Sequence, residues 1–337
     1  MELKPYQQQV INDLEQYLEY WQRLGAADQA YNQFWEDRLG QPYDVLPDGT
    51  TRGMRPYKDN IPGAAHVAVK VPTAGGKTFI ACNALHTIFR SMPAGRPRAV
   101  VWLVPWSNLL QQTSQNLGNP AHPYRQKLNS LFGHRVEVYE KDQLLQGAGF
   151  NPTAAQEQLS LMVFNFSSIR INSKKKEDRK LYQENGALEP FRHLIDPELV
   201  LPDTDETALI NVIRHLNPVV VVDESHNAES NLSVEMLRNL NPSVVLDLTA
   251  TPRENSNIVS FVNALALKRE NMVKLPVIVY NHHRKEEVIT SALHLQRQLE
   301  LLAQQEEKTT GQYIRPIVLF QAEANLRGKD TTTTGTK

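Results

Sequence analysis

The chain has 337 residues, with 36 basic and 37 acidic side chains for a formal charge of −1, and 41% of its residues are hydrophobic and 22% charged. That is ordinary globular usage: it excludes wholesale disorder, a collagen-like fibre and a coiled coil, and the length leaves room for about two domains, or one large α/β domain and part of another. With no global field to draw the chain onto phosphate, any nucleic-acid contact must come from a local basic surface or from backbone amides. The single cysteine, Cys82, excludes an internal disulfide and the multi-cysteine zinc modules, and it fits a reducing cytoplasm. The N-terminus is too polar for a signal peptide, and no apolar stretch approaches the ~20 residues of a membrane helix, so a chain without a membrane anchor is expected.

In chain order, Leu3 to Trp21 carries Val10, Ile11, Leu14, Tyr17, Leu18 and Trp21 at helical spacing, with Pro5 suited to a first turn. From about Arg23 to Gly63 aromatics are scattered among Gly, Pro and Asp, which predicts an irregular surface insertion. Short Val/Ile/Leu-rich runs follow at His66–Val71, Ala99–Val104, Val136–Tyr139, Leu161–Asn165, Val219–Val222 and Val244–Leu248, each reading as a buried strand. Near-continuous apolar runs such as NPVVVVDE and RAVVWLVP suit strands covered on both faces. Helical connections between them predict a parallel, doubly wound α/β sheet with helices on both faces. The charged run between Ile169 and Lys180, containing INSKKKEDRK, reads as a solvated loop. Past Pro276 the sequence predicts a strand (LPVIVY), a long polar helix over about Glu286–Glu307 and a last strand (IRPIVLFQAE), ahead of a low-complexity tail, DTTTTGTK.

Two segments carry chemistry. PTAGGKT follows a predicted strand and opens a predicted helix. In the loop that runs from Pro72 through Thr73 and Ala74, Gly75 and Gly76 let backbone N–H groups curl around a phosphate chain, Lys77 brings a point charge for the β- and γ-phosphates, and Thr78 offers a hydroxyl to Mg²⁺. The helix start adds its partial positive charge. The strict pattern has glycine where Val71 stands, so the strand–loop–helix context carries the assignment. The second segment, NPVVVVDESHNAES, is a buried strand ending in carboxylates. Ligands of α/β folds sit at the carboxyl edge of the sheet, which places Asp223 and Glu224 beside the phosphate loop. Asp223 is expected to hold the metal and Glu224 to orient and deprotonate the attacking water, the division of labour that phosphoryl transfer to water needs. His226 is assigned to the same hydrolytic centre, although a lone histidine there serves as readily as a structural hydrogen-bonder.

These segments, together with VVLDLTATP, resemble the superfamily 2 helicase and translocase motor. PTAGGKT is similar to motif I, VWLVPWSNLLQQT to motif Ia, DESH to a DEAD/DEAH-type motif II, and Thr249, Ala250 and Thr251 to motif III, which in the family couples nucleotide state to the grip on nucleic acid. LKPYQQQ resembles the adenine-reading segment, which implies that Gln7 takes the adenine edge with Tyr6 packing nearby. HVAVKVPTAGGKT, DESHNAESNLSVEMLRNLNPSVVLDLTATP and LKRENMVKLPVIV look most like the helicase subunit of type III restriction systems.

The resemblance implies a RecA-like P-loop NTPase sheet and an ATP- and Mg²⁺-dependent helicase or translocase. Its implied partners are nucleic acid, DNA in preference to RNA, and a modification methyltransferase or other defence-system subunit. It also implies an N-terminal RecA-like lobe over residues 1–275, a connecting strand and helix over 276–315, and the start of a truncated second lobe with the tail over 316–337. Without the second lobe's arginine finger, slow hydrolysis by this chain alone is expected. DESH in place of DEAD or DEAH leaves the subfamily open, and no Asp…Glu-x-Lys nuclease cluster is visible. Glu306 to Lys308 reads as a solvated helix face. Asn165, Ser167 and Ser168 stand where the family touches the nucleic-acid backbone, but they also suit a plain turn. Trp102 reads as core, while Trp106 could stack a base. A P-loop kinase would explain the loop but not DESH and TAT at successive strand ends. A lobe that binds nucleotide or nucleic acid without turnover stays open.

Overall fold

The computed structural model describes residues 1–169, 178–223, 231–272 and 284–320. The chain divides into two compact units, residues 1–273 and 274–337. In the first unit the described strands of the main sheet are β3 (Ala65–Lys70), β4 (Arg98–Val104), β5 (Val136–Glu140), β6 (Leu159–Asn165), β7 (Val219–Asp223), β8 (Val244–Thr249) and β9 (Ile258–Phe261). They pair in the order β5-β6-β4-β7-β8-β3-β9, and every pairing is parallel. All six strands expected of this region are present. β9 adds a seventh that the sequence reading missed, because four residues, IVSF, carry too little pattern to stand out.

Both faces of the sheet are buried, as a parallel sheet requires. One face, through Val67, Val69, Val100, Trp102, Val219, Val221, Leu246 and Leu248, packs under α1 (Pro5–Leu24), α3 (Lys77–Arg90), α4 (Ser107–Gly118) and α5 (Pro123–Leu131). The opposite face, through Val101, Leu103, Val220, Val222 and Val245, meets α6 (Lys141–Leu145), α7 (Pro152–Glu157), α8 (Leu209–Leu216) and α9 (Asn231–Asn239). The arrangement is doubly wound and RecA-like. Trp102 is fully buried, as its strand pattern implied, and Trp106 is exposed just before α4. Among the described residues no helix is long and apolar enough to cross a membrane.

The stretch expected to be an irregular insertion from Arg23 to Gly63 is largely structured. Residues Ala27–Leu39 form α2, and the two-residue strands β1 (Asp44–Val45) and β2 (Thr51–Arg52) pair antiparallel below it. Ala30, Tyr31, Phe34 and Trp35 of α2 are buried at i, i+1, i+4 and i+5, a stripe that aromatic residues disguise when their neighbours are polar. Tyr17 and Phe34 meet edge to face at 6.2 Å, and the Trp35 indole donates to the Ile258 carbonyl at 2.8 Å, so α2 seals α1 against the edge strand β9. At the centre of the seal is the Asp13 carboxylate, which accepts from Arg38 of α2 at 2.6 Å, from Gln9 at 2.8 Å and from the Ser260 hydroxyl of β9 at 2.5 Å.

In the second unit α11 (Lys285–Thr310) covers the helix expected over Glu286–Glu307 and ends at Gly311 in the left-handed region, φ 72°. The strand expected over Ile314–Glu323 does not form in its described part, where residues 314–320 have no regular structure and Leu319 is 88% exposed. A strand exists only by pairing, and no partner lies alongside among the described residues. The LPVIVY strand, most of the charged run after Ile169 and the tail fall outside the described residues, as do any second-lobe elements beyond residue 320.

Replacing Asp13 by alanine removes three hydrogen bonds at once and strands the Arg38 guanidinium. A loss of about 2–3 kcal/mol is expected as a lower urea midpoint at unchanged m-value. An unchanged midpoint would mean that the seal contributes nothing.

Candidate nucleotide site at the carboxyl edge of the sheet

Because all strands run the same way, their carboxyl ends share one edge. The register places Asp223 of β7 opposite Leu248 of β8, Thr249 opposite Lys70 of β3, and Lys70 opposite Phe261 of β9. The segment Pro72–Thr78 leaves this edge directly after β3 and enters α3, whose first residue is Lys77. Ala74 has φ 66° and Gly76 φ 75°, flanking Gly75, which lies outside the left-handed region. Such alternation turns successive N–H groups toward one concave side and makes an anion nest. The loop is held tightly from behind. A Cβ on Gly75 would lie 2.4 Å from the Val71 side chain and 3.0 Å from the Pro72 carbonyl, and one on Gly76, whose φ is left-handed, would press on Gln7 Nε2 at 2.5 Å, so glycine is favoured at both places.

Two donors from α1 converge on one carbonyl of this loop. The Tyr6 hydroxyl donates to the Gly75 oxygen at 3.0 Å and Gln7 Nε2 donates to the same oxygen at 3.1 Å. The Gln7 carboxamide oxygen accepts from the Lys4 N–H at 3.0 Å, closing the first turn of α1. Burial chiefly, and the Glu270 charge less so, raise the Tyr6 phenol above its ordinary pKa, while its hydrogen bond with Gln7 opposes the rise. The phenol therefore stays protonated, and able to donate, across the neutral range. Gln7 is only 2% exposed, so the structure seats it beneath the phosphate loop, with its amide engaged there.

Lys77 is buried at the start of α3, and Thr78 is half-buried beside it. On β7, Val219 and Val221 face α3. Alternation therefore turns Asp223, the last residue of the strand, to that same face. Burial, then the nearby Cys82 and Asp223, raise the phenol of Tyr124 on α5, which places Asp223 within electrostatic reach of the α3–α5 layer. Glu224 and His226 lie outside the described residues. Thr249 is buried; its carbonyl accepts from the Val71 N–H at 2.9 Å and its hydroxyl from the Thr251 N–H at 3.1 Å. The TAT segment is thus tied to the root of the phosphate loop. Pro72, Thr73 and Ala74 complete the concave wall, with Thr73 and Ala74 exposed.

The nest, the two glycines that shape it and the lysine at the helix start fit a triphosphate. The Thr78 hydroxyl and the Asp223 carboxylate are hard oxygen donors of the kind Mg²⁺ takes together with phosphate oxygens. Among the described residues no group of three or more His, Cys, Asp or Glu side chains could hold a metal unaided.

Other assigned positions serve local structure. Asn165 accepts from the Ser168 N–H and the Ser167 hydroxyl, both at 2.8 Å, and so caps the short 3₁₀ turn after β6. Sequence reasoning missed the polar pair on the opposite face of the sheet, His66 Nε2 to Asp247 Oδ2 at 2.8 Å, since each sits alone within an apolar strand. It also missed that Leu267, of α10 (Ala264–Arg269), packs beside the loop at Gly75.

The family model described as Type III restriction enzyme, res subunit, matches residues 1–254. No curated protein matches the chain. Among solved structures, a nuclease-deletion mutant of the Type ISP restriction-modification enzyme LlaGI with a DNA substrate mimic is 14% identical, with a TM-score of 0.36, over 61% of this chain and 18% of its own. The ATP-dependent Type ISP enzyme LlaBIII bound to DNA is 13% identical, with a TM-score of 0.37, over 75% and 13%. The UvsW helicase from bacteriophage T4 is 10% identical, with a TM-score of 0.29, over 71% and 64%. The chain spans less than a fifth of the length of the two restriction enzymes.

If the Gln7 amide is what occupies the space behind Gly76, the two positions must be coupled. Gly76→Ala alone is expected to destabilise the first unit by about 1–3 kcal/mol through a strained φ and the close approach, and less in a Gln7→Ala background. A double-mutant cycle of denaturation midpoints reads the coupling; strict additivity would show that the two do not press on each other.

Proposed function

The chain belongs to the type III restriction enzyme res subunit family, so its first unit is a helicase-like nucleic-acid motor lobe, and on that premise we propose that this lobe binds and hydrolyses ATP to drive translocation on DNA. The observation that carries the reading is the nest at residues 72–78, opening α3 on the same face of the sheet as Asp223. Lys77 would hold the β- and γ-phosphate charge, and Thr78 and Asp223 would hold Mg²⁺. When bound, the metal supplies neutralisation of phosphate charge. Glu224 would take the proton of the attacking water as the bond from the γ-phosphorus to the bridging oxygen breaks. A restriction-enzyme family supports DNA as the track. Thr249, bonded to Val71, and Thr251, bonded to Thr249, would report the state of the loop toward the nucleic-acid side. A modification methyltransferase is proposed as partner subunit.

ATP titrated against the wild type and Lys77→Ala tests the site. A loss of about tenfold or more is expected for the variant, because a buried lysine charge facing a triphosphate is removed. Asp223→Ala should weaken binding only when Mg²⁺ is present. Equal ATP affinity in the wild type and Lys77→Ala would overturn the assignment.

A further inference from the structure

No sequence motif claims Tyr124, yet the packing of α5 carries it to the nucleotide site. Two ring contacts fix how α5 lies against α3. Tyr124 and Phe79 stack with centroids 6.0 Å apart, and His86 meets Phe132 edge to face at 5.8 Å. The partners advance together along both helices, so α3 and α5 run parallel and in step. α3 opens at the carboxyl edge of the sheet with Lys77, and the first turn of α5 therefore stands at that edge beside it. Helical side chains lean toward the N-terminus of their helix, which aims the Tyr124 ring at the edge. Thr78 immediately precedes Phe79 and stands one turn before Cys82. The phenol, which stacks on Phe79 and feels the charges of Cys82 and Asp223, thus lies close to both residues assigned to the metal.

The hydroxyl is placed but not used. The Tyr124 N–H donates to His122 Nδ1 at 3.3 Å and closes the start of α5, whereas the hydroxyl bonds to no described residue. Phe79 is fully buried, so it braces a ring that is itself only half-buried. Burial above all raises the phenol above its ordinary pKa, and it keeps its proton for donation at neutral pH. The order of helices then gives its place along the nucleotide. α3 contacts α1 on one side and α5 on the other. Tyr6 and Gln7 of α1 hold the phosphate loop from the first side, at Gly75. Tyr124 stands on the second, toward Asp223. A triphosphate with its terminal group at the metal residues turns that group, not its inner phosphates, to Tyr124. We propose that the Tyr124 hydroxyl donates a hydrogen bond to the terminal phosphate of the bound nucleoside triphosphate, and so distinguishes it from the diphosphate. The bond adds a donor without adding charge, and it is lost when the terminal phosphate leaves. The inference rests on the ATP reading above. A phosphate of the nucleic-acid backbone is the competing acceptor, and closeness to Thr78 and Asp223 favours the nucleotide.

The test titrates the full chain with two probes in the presence of Mg²⁺, ADP and the ATP analogue with an imido bridge between the β- and γ-phosphates, by calorimetry. Tyr124→Phe keeps the ring on Phe79 and removes only the hydroxyl, so its denaturation midpoint should match the wild type. It is expected to weaken the analogue about tenfold and to leave ADP within twofold. Lys77→Ala, which removes a charge shared by the inner and terminal phosphates, should weaken both probes. If Tyr124→Phe binds the analogue like the wild type, or weakens both probes alike, the hydroxyl does not read the terminal phosphate and the proposal is overturned while the phosphate site stands. If it leaves both nucleotides untouched but weakens a single-stranded oligonucleotide, the hydroxyl serves nucleic acid and the proposal is likewise overturned. If the wild type binds neither probe, the ATP reading fails and this inference fails with it.

Discussion

Parallel pairing is the constraint on which everything else depends. An antiparallel sheet scatters its strand ends over two edges, but seven strands running one way place every carboxyl end in a single row. Residues far apart in the chain, from the root of the phosphate loop to Asp223, Thr249 and Phe261, become neighbours along that row. The price is burial of both faces. The valines of β7 alternate between two cores, and each strand needs a helical layer above and below. A polar residue at the end of such a strand is the first in its chain segment to escape the core, which is why the chemistry gathers there.

The second layer of organisation is the α1–α2–β9 seal. α1 carries Tyr6 and Gln7 to the underside of the phosphate loop, and its position is fixed about two turns on by the Asp13 carboxylate, and by the aromatic stripe of α2. The loop is thus set from two sides, by α1 behind Gly75 and Gly76 and by Leu267 of α10 next to Gly75. Both supports attach to β9, so a short edge strand of four residues anchors more of the site than its length suggests.

Much of this was legible in the sequence because strong local signals and the tertiary answer agree. Val-rich runs flanked by helical connections suit strands of a doubly wound sheet, and the glycine–lysine–threonine segment gains its meaning from lying where such a strand meets a helix. The failures have equally local causes. α2 hid because its buried face is built from Tyr31, Phe34 and Trp35 among polar residues, so the surrounding Gly and Pro outweighed its period. β9 hid because it is short and edge-placed. The last predicted strand, around Ile317, had the composition of a strand but no partner among the described residues to make it one. For Gln7 the motif names the residue, and packing adds that its amide bonds the Lys4 N–H and the Gly75 carbonyl.

The bond between Asp13 and Ser260 joins residues 247 positions apart. During synthesis at ~5–20 residues per second, α1 leaves the ribosome about 12–50 s before the strand that completes its docking surface exists. In that interval the nascent helix holds the apolar stripe of Val10, Leu14, Tyr17 and Leu18 with only α2 and later α3 to cover it. The edge of the sheet nearest the phosphate loop is therefore the last to close. A nascent chain stalled before residue 260 would expose a helix that chaperones and proteases recognise, although most of its strands are already made.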